Sequence, residues 1–172
     1  MLCNRFPVFK IGCSGKEIGY EPRGNAGESN ADLQRRLALK SGGLAVGQKK
    51  LGIENTDLIR AMDSFGGGLD AHGEGCGVVI SGLAAIGLLS GRAEAGTQAD
   101  MTMWKSCRIF MKRFRGEITD DKILCRDLVD GDWTDFNQAK GHRGSDKYEY
   151  CWVLTGKTAR LIGEILEKAQ GE

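Results

Sequence analysis

Apolar residues in this chain recur at steps of three and four, and no segment alternates apolar and polar residues in the manner of a half-buried strand. The clearest case is near the end of the sequence, where Leu154, Thr158, Leu161 and Ile165 share one helical face. This spacing is typical of amphipathic helices, since one turn takes 3.6 residues. The sequence therefore predicts an all-α fold, a single-domain bundle of five or six helices.

The helical pattern covers most of the chain after its first thirty residues. We expect helices over about 32–51, 55–65, 78–89, 97–114, 119–129 and from 148 onwards. A chain of 172 residues that is 41% hydrophobic can bury one core, so one helical domain over residues 31–172 is expected. Residues 1–30 are polar, rich in glycine and without period, which predicts an N-terminal arm that is poorly ordered or docked on the domain.

Glycine is unusually frequent, with 26 glycines against two prolines. Several of them lie in a Gly-rich loop over residues 66–77, between the second and third predicted helices. A loop of this kind can direct backbone amides at an anion at the start of a helix. We therefore predict a cofactor-binding role for Gly67, Gly68, Gly75 and Gly77, with amides that hydrogen-bond to a thiolate or sulfide. A nucleotide-phosphate site is disfavoured because the loop lacks a Gly-Lys-Ser/Thr ending.

Three of the six cysteines lie where the helical pattern begins anew. Cys76 stands between two glycines at the start of an apolar helix, Cys125 in the second turn of a short helix opened by Thr119, and Cys151 in the first turn of the last helix. The helix dipole favours a thiolate at such a start, so we expect the pKa of Cys76 to be lowered. Cys107 shares an apolar helix face and is expected in the core.

The histidines and tryptophans give weaker indications. His72 precedes Cys76 by four residues and is within reach of the same metal, whereas His142 is expected at the surface. Trp104 is expected in the core and Trp133 in an exposed acidic loop, where its indole would mark an interface. Trp152 adjoins Cys151 and is expected to shield the site from water.

The order of these landmarks resembles the C-GCAxxG-C-C family of redox-active proteins. The resemblance covers about Ser41 to Leu166 and rests on Phe65-Gly66-Gly67-Gly68, Gly75-Cys76-Gly77, Cys125-Arg126-Asp127-Leu128 and Cys151 before a C-terminal amphipathic helix. It implies a redox site built from cysteines, of which Cys76, Cys125 and Cys151 carry over. The chain departs from the family pattern at its first cysteine, with which Gly42 aligns.

We expect a small redox-active protein that acts as an electron-transfer or iron-sulfur module through Cys76, Cys125 and Cys151, and the cysteine chemistry leaves three interpretations open. Three thiolates with one further ligand suit a [2Fe-2S] cluster, and zinc accepts the same donors. The metal ligands would be Cys76, Cys125, Cys151 and His72, with Cys3, Cys13, Cys107 or a second subunit as other sources of the fourth. Thiol redox chemistry needs two sulfurs and no cofactor. In the third interpretation the chain is a non-catalytic helical binding or regulatory domain, a homodimer for instance, with structural cysteines.

Composition and motifs limit the partners. The 24 basic and 23 acidic side chains are mixed along the chain, so neither nucleic acid nor an acidic substrate is expected, and a redox partner protein is. The apolar run 78–89 is shorter than the ~20 residues of a membrane span. Residues 1–9 lack the pattern of a secretory signal, which predicts a cytoplasmic protein. Haem attachment is disfavoured without Cys-x-x-Cys-His, and no motif assigns an enzymatic substrate.

Overall fold

The computed structural model describes residues 30–98, 100–142 and 145–171, and in these ranges the chain is helical. A 3-10 turn covers Met62–Phe65 and a π-helical turn covers Phe114–Ile118. The described residues contain no strand, only one isolated β-bridge. The prediction of an all-α fold is therefore confirmed. The helices are α1 (Asn30–Leu51), α2 (Thr56–Ala61), α3 (Gly77–Ser90), α4 (Met101–Arg113), α5 (Cys125–Val129), α6 (Phe136–His142) and α7 (Asp146–Gly171).

Capping explains where two helices begin. The Asn55 side chain accepts hydrogen bonds from two backbone amides of α2, at 3.0 and 3.2 Å, as its position before the apolar residues predicts. Asp100 caps α4 in the same way, accepting from the amide of Thr102 at 2.7 Å. The helix expected from about residue 97 thus begins at Met101, because only Asp100 supplies a cap.

Helix α5, which contains Cys125, begins later in the chain than the sequence predicts. Thr119 does not cap the start of a helix. Its hydroxyl donates to the carbonyls of Phe114 and Lys122 at 3.1 and 2.7 Å. Asp120 and Asp121 have φ of +49° and +65°, which an α-helix excludes. The expected helix opening is therefore a left-handed turn, and Cys125 is the first residue of α5 rather than part of its second turn.

Two further differences from the predicted helices lie close to Cys151. The segment expected to be a polar loop contains α6, whose last residue is His142. Helix α7 begins at Asp146, so Cys151 lies in its second turn, not its first.

Helices α1, α3 and α7 run in the same direction. A Cβ built on Gly43 would lie 2.9 Å from Ser81 Oγ, and one built on Gly47 would lie 2.6 Å from Ala85 Cβ, so positions along α1 and α3 rise together. Helix α1 meets α7 the same way, with Gly42 against Thr155 near one end and an ion pair between Lys50 and Glu167 further along. The start of α3 and the first turns of α7 therefore lie at the same end of the bundle.

The core lies between α3, α4 and α7. Its largest fully buried side chains include Phe110 and Phe114, whose ring centroids are 5.7 Å apart, with Ile86, Ile162 and Leu166 around them. Cys107 packs partly buried against this cluster, as expected. Trp104 does not. It is 53% exposed, so the expectation of a core tryptophan was wrong.

Two expectations concern the chain as a whole. The predicted N-terminal arm, with Cys3 and Cys13, lies outside the described residues apart from Asn30. Among the described helices, none combines the length and the apolar character that crossing a membrane requires.

Candidate functional site

A short antiparallel backbone pairing holds Cys76 and Cys125 close together. Gly75 and Leu124 form the isolated bridge, and the residues beside them complete it. The amide of Cys76 donates to the carbonyl of Ile123 at 3.1 Å, and the amide of Cys125 donates to that of Glu74 at 2.7 Å. Successive side chains alternate between the faces of an extended segment. Cys76 and Cys125, each one residue from the bridge, therefore project to the same face.

The Gly-rich loop supports this pairing through an unusual backbone. Residues 67–71 all have φ between +53° and +74°, a single left-handed turn in which only two of the five residues are glycine. A non-glycine residue in this conformation costs about 1–2 kcal/mol. The amides of residues 71–74 bond to carbonyls of the same loop, at 3.0 to 3.3 Å. The loop is therefore held by its own hydrogen bonds.

Glycine is required here for close packing as well as for its φ. A Cβ on Gly68 would lie 2.6 Å from both Cys125 Cβ and Glu74 O, and one on Gly77 would lie 2.8 Å from Phe65 O. A Cβ on Gly67 would lie 2.9 Å from Ala71 Cα, whereas Gly75 has ordinary space around it. The structure thus gives the first three a packing role, and cofactor binding by these glycines stays a prediction.

Cys76 is the residue before the first turn of α3, and its sulfur is buried. Its pKa is lowered, above all because the thiol of Cys125 donates a hydrogen bond to its sulfur. Burial opposes this, and the amides of Val78 and Val79 in the first turn of α3 lower the pKa further. The expected activation of Cys76 is therefore present, although the neighbouring thiol contributes more than the helix does.

Cys125 carries the proton of the pair. Its pKa is raised, first because its thiol is the donor to the Cys76 sulfur and then because of burial. The indole N–H of Trp133 acts in the opposite direction and lowers this pKa. Trp133 Nε1 is itself buried and has no hydrogen-bond partner among the described residues, and its effect on the pKa of Cys125 places it near that sulfur. Trp133 was expected to be exposed, and it belongs to the site instead.

Cys151 approaches the pair from α7 and has a partner of its own. Its Sγ lies 3.8 Å from Nε2 of His142 at the end of α6. Burial, followed by the charge of Cys76, raises the pKa of Cys151 to about 12. The charge of Cys151 in turn raises the pKa of Cys125, so the three sulfurs share one electrostatic environment.

His142 is the residue of this site that sequence reasoning missed. It was expected at the surface, but it is partly buried, with its ring edge-on to Trp133 at 4.6 Å and to Tyr148 at 5.9 Å. Burial, followed by the charge of Lys147, lowers its pKa and keeps the imidazole neutral. Its only signal in the sequence is its position nine residues before Cys151, across the turn between α6 and α7.

His72, the histidine that was predicted to be a ligand, is exposed on the Gly-rich loop. Its Nδ1 contacts the carbonyls of Leu69 and Asp70 at 3.0 and 2.8 Å, so its described contacts lie within the loop itself. Metal binding by His72 stays a prediction.

The three cysteines of this site lie in a segment that matches a known protein family. The model of the family described as "Putative redox-active protein (C_GCAxxG_C_C)" matches residues 43–165, which is most of the chain. The chain belongs to this family. The matched C_GCAxxG_C_C segment contains Cys76, Cys125 and Cys151 and begins one residue after Gly42. No curated protein and no solved structure matches the chain.

The structure shows the surroundings of Gly42, which the sequence resemblance aligns with the family's first cysteine. A Cβ at Gly42 would lie 2.8 Å from Cγ2 of Thr155, so α1 and α7 approach too closely here for a larger side chain without rearrangement. The hydroxyl of Thr155 donates to the carbonyl of Cys151, one turn earlier in α7, at 2.8 Å. In this C_GCAxxG_C_C member Gly42 is therefore part of a close contact between α1 and α7, one turn of α7 from Cys151.

Proposed function

We propose that Cys76 and Cys125 form a redox-active dithiol that cycles with a disulfide. The observation that carries the proposal is the backbone bridge that places both side chains on one face, where each cysteine is the largest influence on the pKa of the other, lowering that of Cys76 and raising that of Cys125. A thiolate beside a protonated thiol is the arrangement that thiol–disulfide exchange uses. Membership of a family described as redox-active is consistent with it.

The exchange involves two electrons. The Cys76 thiolate attacks a disulfide of the partner, forms a mixed disulfide and releases one partner thiolate. Cys125 then loses its proton to water, attacks the Cys76 sulfur and releases the second partner thiolate. The chain is oxidised to the Cys76–Cys125 disulfide while the partner disulfide is reduced to two thiols. A protein or small-molecule disulfide is the class of partner that this chemistry requires.

The test is a redox titration in glutathione buffers, with free thiols trapped by alkylation and disulfides mapped by mass spectrometry. We expect one disulfide that links Cys76 to Cys125, and in Cys125→Ser a mixed disulfide with glutathione at Cys76. Cys107→Ser is the matched control, since Cys107 lies on α4 against the core and should leave the titration unchanged. Both cysteines remaining reduced at every ratio, or pairing with Cys107, would contradict the proposal and favour the non-catalytic binding domain.

A second candidate is a metal centre on the same thiols. Two observations favour it: Cys151 and His142 form a second donor pair at 3.8 Å, and the buried indole N–H of Trp133, near Cys125, has no hydrogen-bond partner among the described residues. Three sulfurs and an imidazole suit a [2Fe-2S] cluster or zinc. Cys76, Cys125 and Cys151 would hold the metal. A cluster would supply one-electron transfer, whereas zinc is redox-inactive.

The two candidates differ in simple measurements. Protein purified without air would show visible absorption and bound iron and sulfide if it carried a cluster. Colourless protein with bound zinc would indicate a structural site. Colourless, metal-free protein that forms the Cys76–Cys125 disulfide would leave the dithiol as the function.

A further inference from the structure

His142 and Cys151 form a donor pair that no family motif assigns. The Nε2–Sγ distance is 3.8 Å, and the imidazole is held in place by aromatic rings on two sides, Trp133 and Tyr148. A tetrahedral metal ion with bonds of about 2.3 Å to sulfur and about 2.0–2.1 Å to nitrogen places these two donors about 3.6 Å apart. The pair is therefore close to the separation that two ligands of one metal ion require.

The donors of the site fall into two pairs rather than into one group. Cys76 and Cys125 lie on one face of the backbone bridge, and Cys151 and His142 are in contact with each other. Within residues 30–98, 100–142 and 145–171, no set of three or more His, Cys, Asp or Glu side chains is arranged around a single metal position. A binuclear cluster needs no such set, because its four protein ligands are divided two to each metal ion.

A site with four protein ligands needs one donor besides the three thiolates. Gly42, which the sequence resemblance aligns with the family's first cysteine, supplies no donor, and a Cβ there would meet Thr155. His142, the last residue of α6, instead contacts Cys151. Imidazole is an established substitute for thiolate on iron–sulfur clusters.

We propose that His142 is the fourth protein ligand of a [2Fe-2S] site, with Cys151 on the same metal ion and with Cys76 and Cys125 on the other. This inference rests on the metal-centre candidate. The indole of Trp133, against both His142 and Cys125, links the two pairs and presents its N–H to the sulfur side of the site. Beyond His142, a cavity of about 260 Å³ lined by Trp133, Gln138, His142 and Lys147 among others leads to the exterior, so the histidine side is the accessible side of the site.

The experiment loads the full chain with iron and sulfide without air and compares it with His142→Cys, His142→Ala and the control His72→Ala. We expect wild type and His72→Ala to bind about two irons and two sulfides per chain. Pulsed electron paramagnetic resonance of the reduced cluster should show strong coupling to one imidazole nitrogen. His142→Cys should keep the iron and lose that coupling, and His142→Ala should lose most of the iron.

Each contrary result has a distinct meaning. A nitrogen coupling that persists in His142→Cys, or one that is lost in His72→Ala, would overturn the assignment of His142 while leaving the metal centre intact. One zinc per chain without sulfide would overturn the binuclear site. Wild type that binds no metal under any condition would overturn the metal centre and this inference together, with the dithiol unaffected. Circular dichroism of His142→Cys identifies a loss of iron that is due to unfolding.

Discussion

The amide of Cys125 donates a hydrogen bond of 2.7 Å to the carbonyl of Glu74, 51 positions earlier in the sequence. This bond joins the start of α5 to the Gly-rich loop before α3. Its counterpart runs from Cys76 to Ile123 at 3.1 Å. Because the two bonds flank a single bridge, the positions of the two sulfurs are fixed by backbone geometry rather than by side-chain packing alone.

Replacement of Gly68 should open this pairing. Gly68→Ala places a Cβ 2.6 Å from Cys125 Cβ and Glu74 O at a φ of +74°. We expect a loss of about 1–2 kcal/mol from the left-handed conformation alone, and more from the collision. Urea denaturation measures the loss, and faster alkylation of Cys125 would report the opening. The matched control is Gly52→Ala, with a φ of +66° and no atom within 4 Å; an equal loss in both variants would show that the contact with Cys125 is unimportant.

The crossing of α1 and α3 should depend on the absence of a side chain at Gly47. Its Cβ would lie 2.6 Å from that of Ala85. Alanine favours a helix over glycine by about 0.5–1 kcal/mol, yet overpacking typically costs about 1–3 kcal/mol, so we expect Gly47→Ala to destabilise the protein. Gly156→Ala, in α7 with nothing within 4 Å, should stabilise it. Thermal unfolding compares them; stabilisation by both substitutions would exclude close packing at this crossing.

Cys76 should ionise at lower pH than a free cysteine in reduced, metal-free protein. The hydrogen bond from Cys125 and the amides of α3 lower its pKa, so its alkylation rate should reach half-maximum below the ~8.5 of free thiols. Cys125→Ala should move the midpoint upward, because the main donor is lost. Iodoacetamide kinetics against pH measure both. A midpoint at or above that of a free thiol in the unsubstituted chain would remove the activated thiolate.

The same pKa has a consequence for stability. A group with a lowered pKa in the folded state contributes stability above its unfolded pKa, and the contribution is lost as the pH falls through the folded value. Reduced wild type should therefore gain stability relative to Cys76→Ser as the pH rises toward the ~8.5 of an unfolded thiol, which urea unfolding at fixed pH values measures. A difference that does not change with pH would argue against ionisation of Cys76.

Cys107 should be replaceable without effect on the redox site. It is partly buried against the core, where burial raises its pKa and keeps it protonated. Cys107→Ala should cost roughly 1 kcal/mol, the transfer and cavity energy of a small side chain. Disulfide formation and metal content should be unchanged. If Cys107→Ala abolished them while Cys125→Ala did not, the redox thiols would be wrongly assigned.

The sequence alone was sufficient for the helical class, for most helix positions and for the three motif cysteines. These depend on signals that lie within a few residues of one another, such as the repeat of Leu154, Leu161 and Ile165 or the cap at Asn55. Local periodicity and capping act before any tertiary contact forms, so they can be read from neighbouring residues.

Only the tertiary structure decided which side chains surround the cysteines. Three features depend on how helices far apart in sequence are rotated and joined. They are the exposure of Trp104, the burial of the Trp133 indole nitrogen and the contact of His142 with Cys151. The left-handed turn at Asp120 and Asp121 delays the start of α5 until Cys125. A turn of this kind changes the direction of the chain through the backbone angles of a few residues. A sequence pattern with a period of 3.6 residues does not encode those angles.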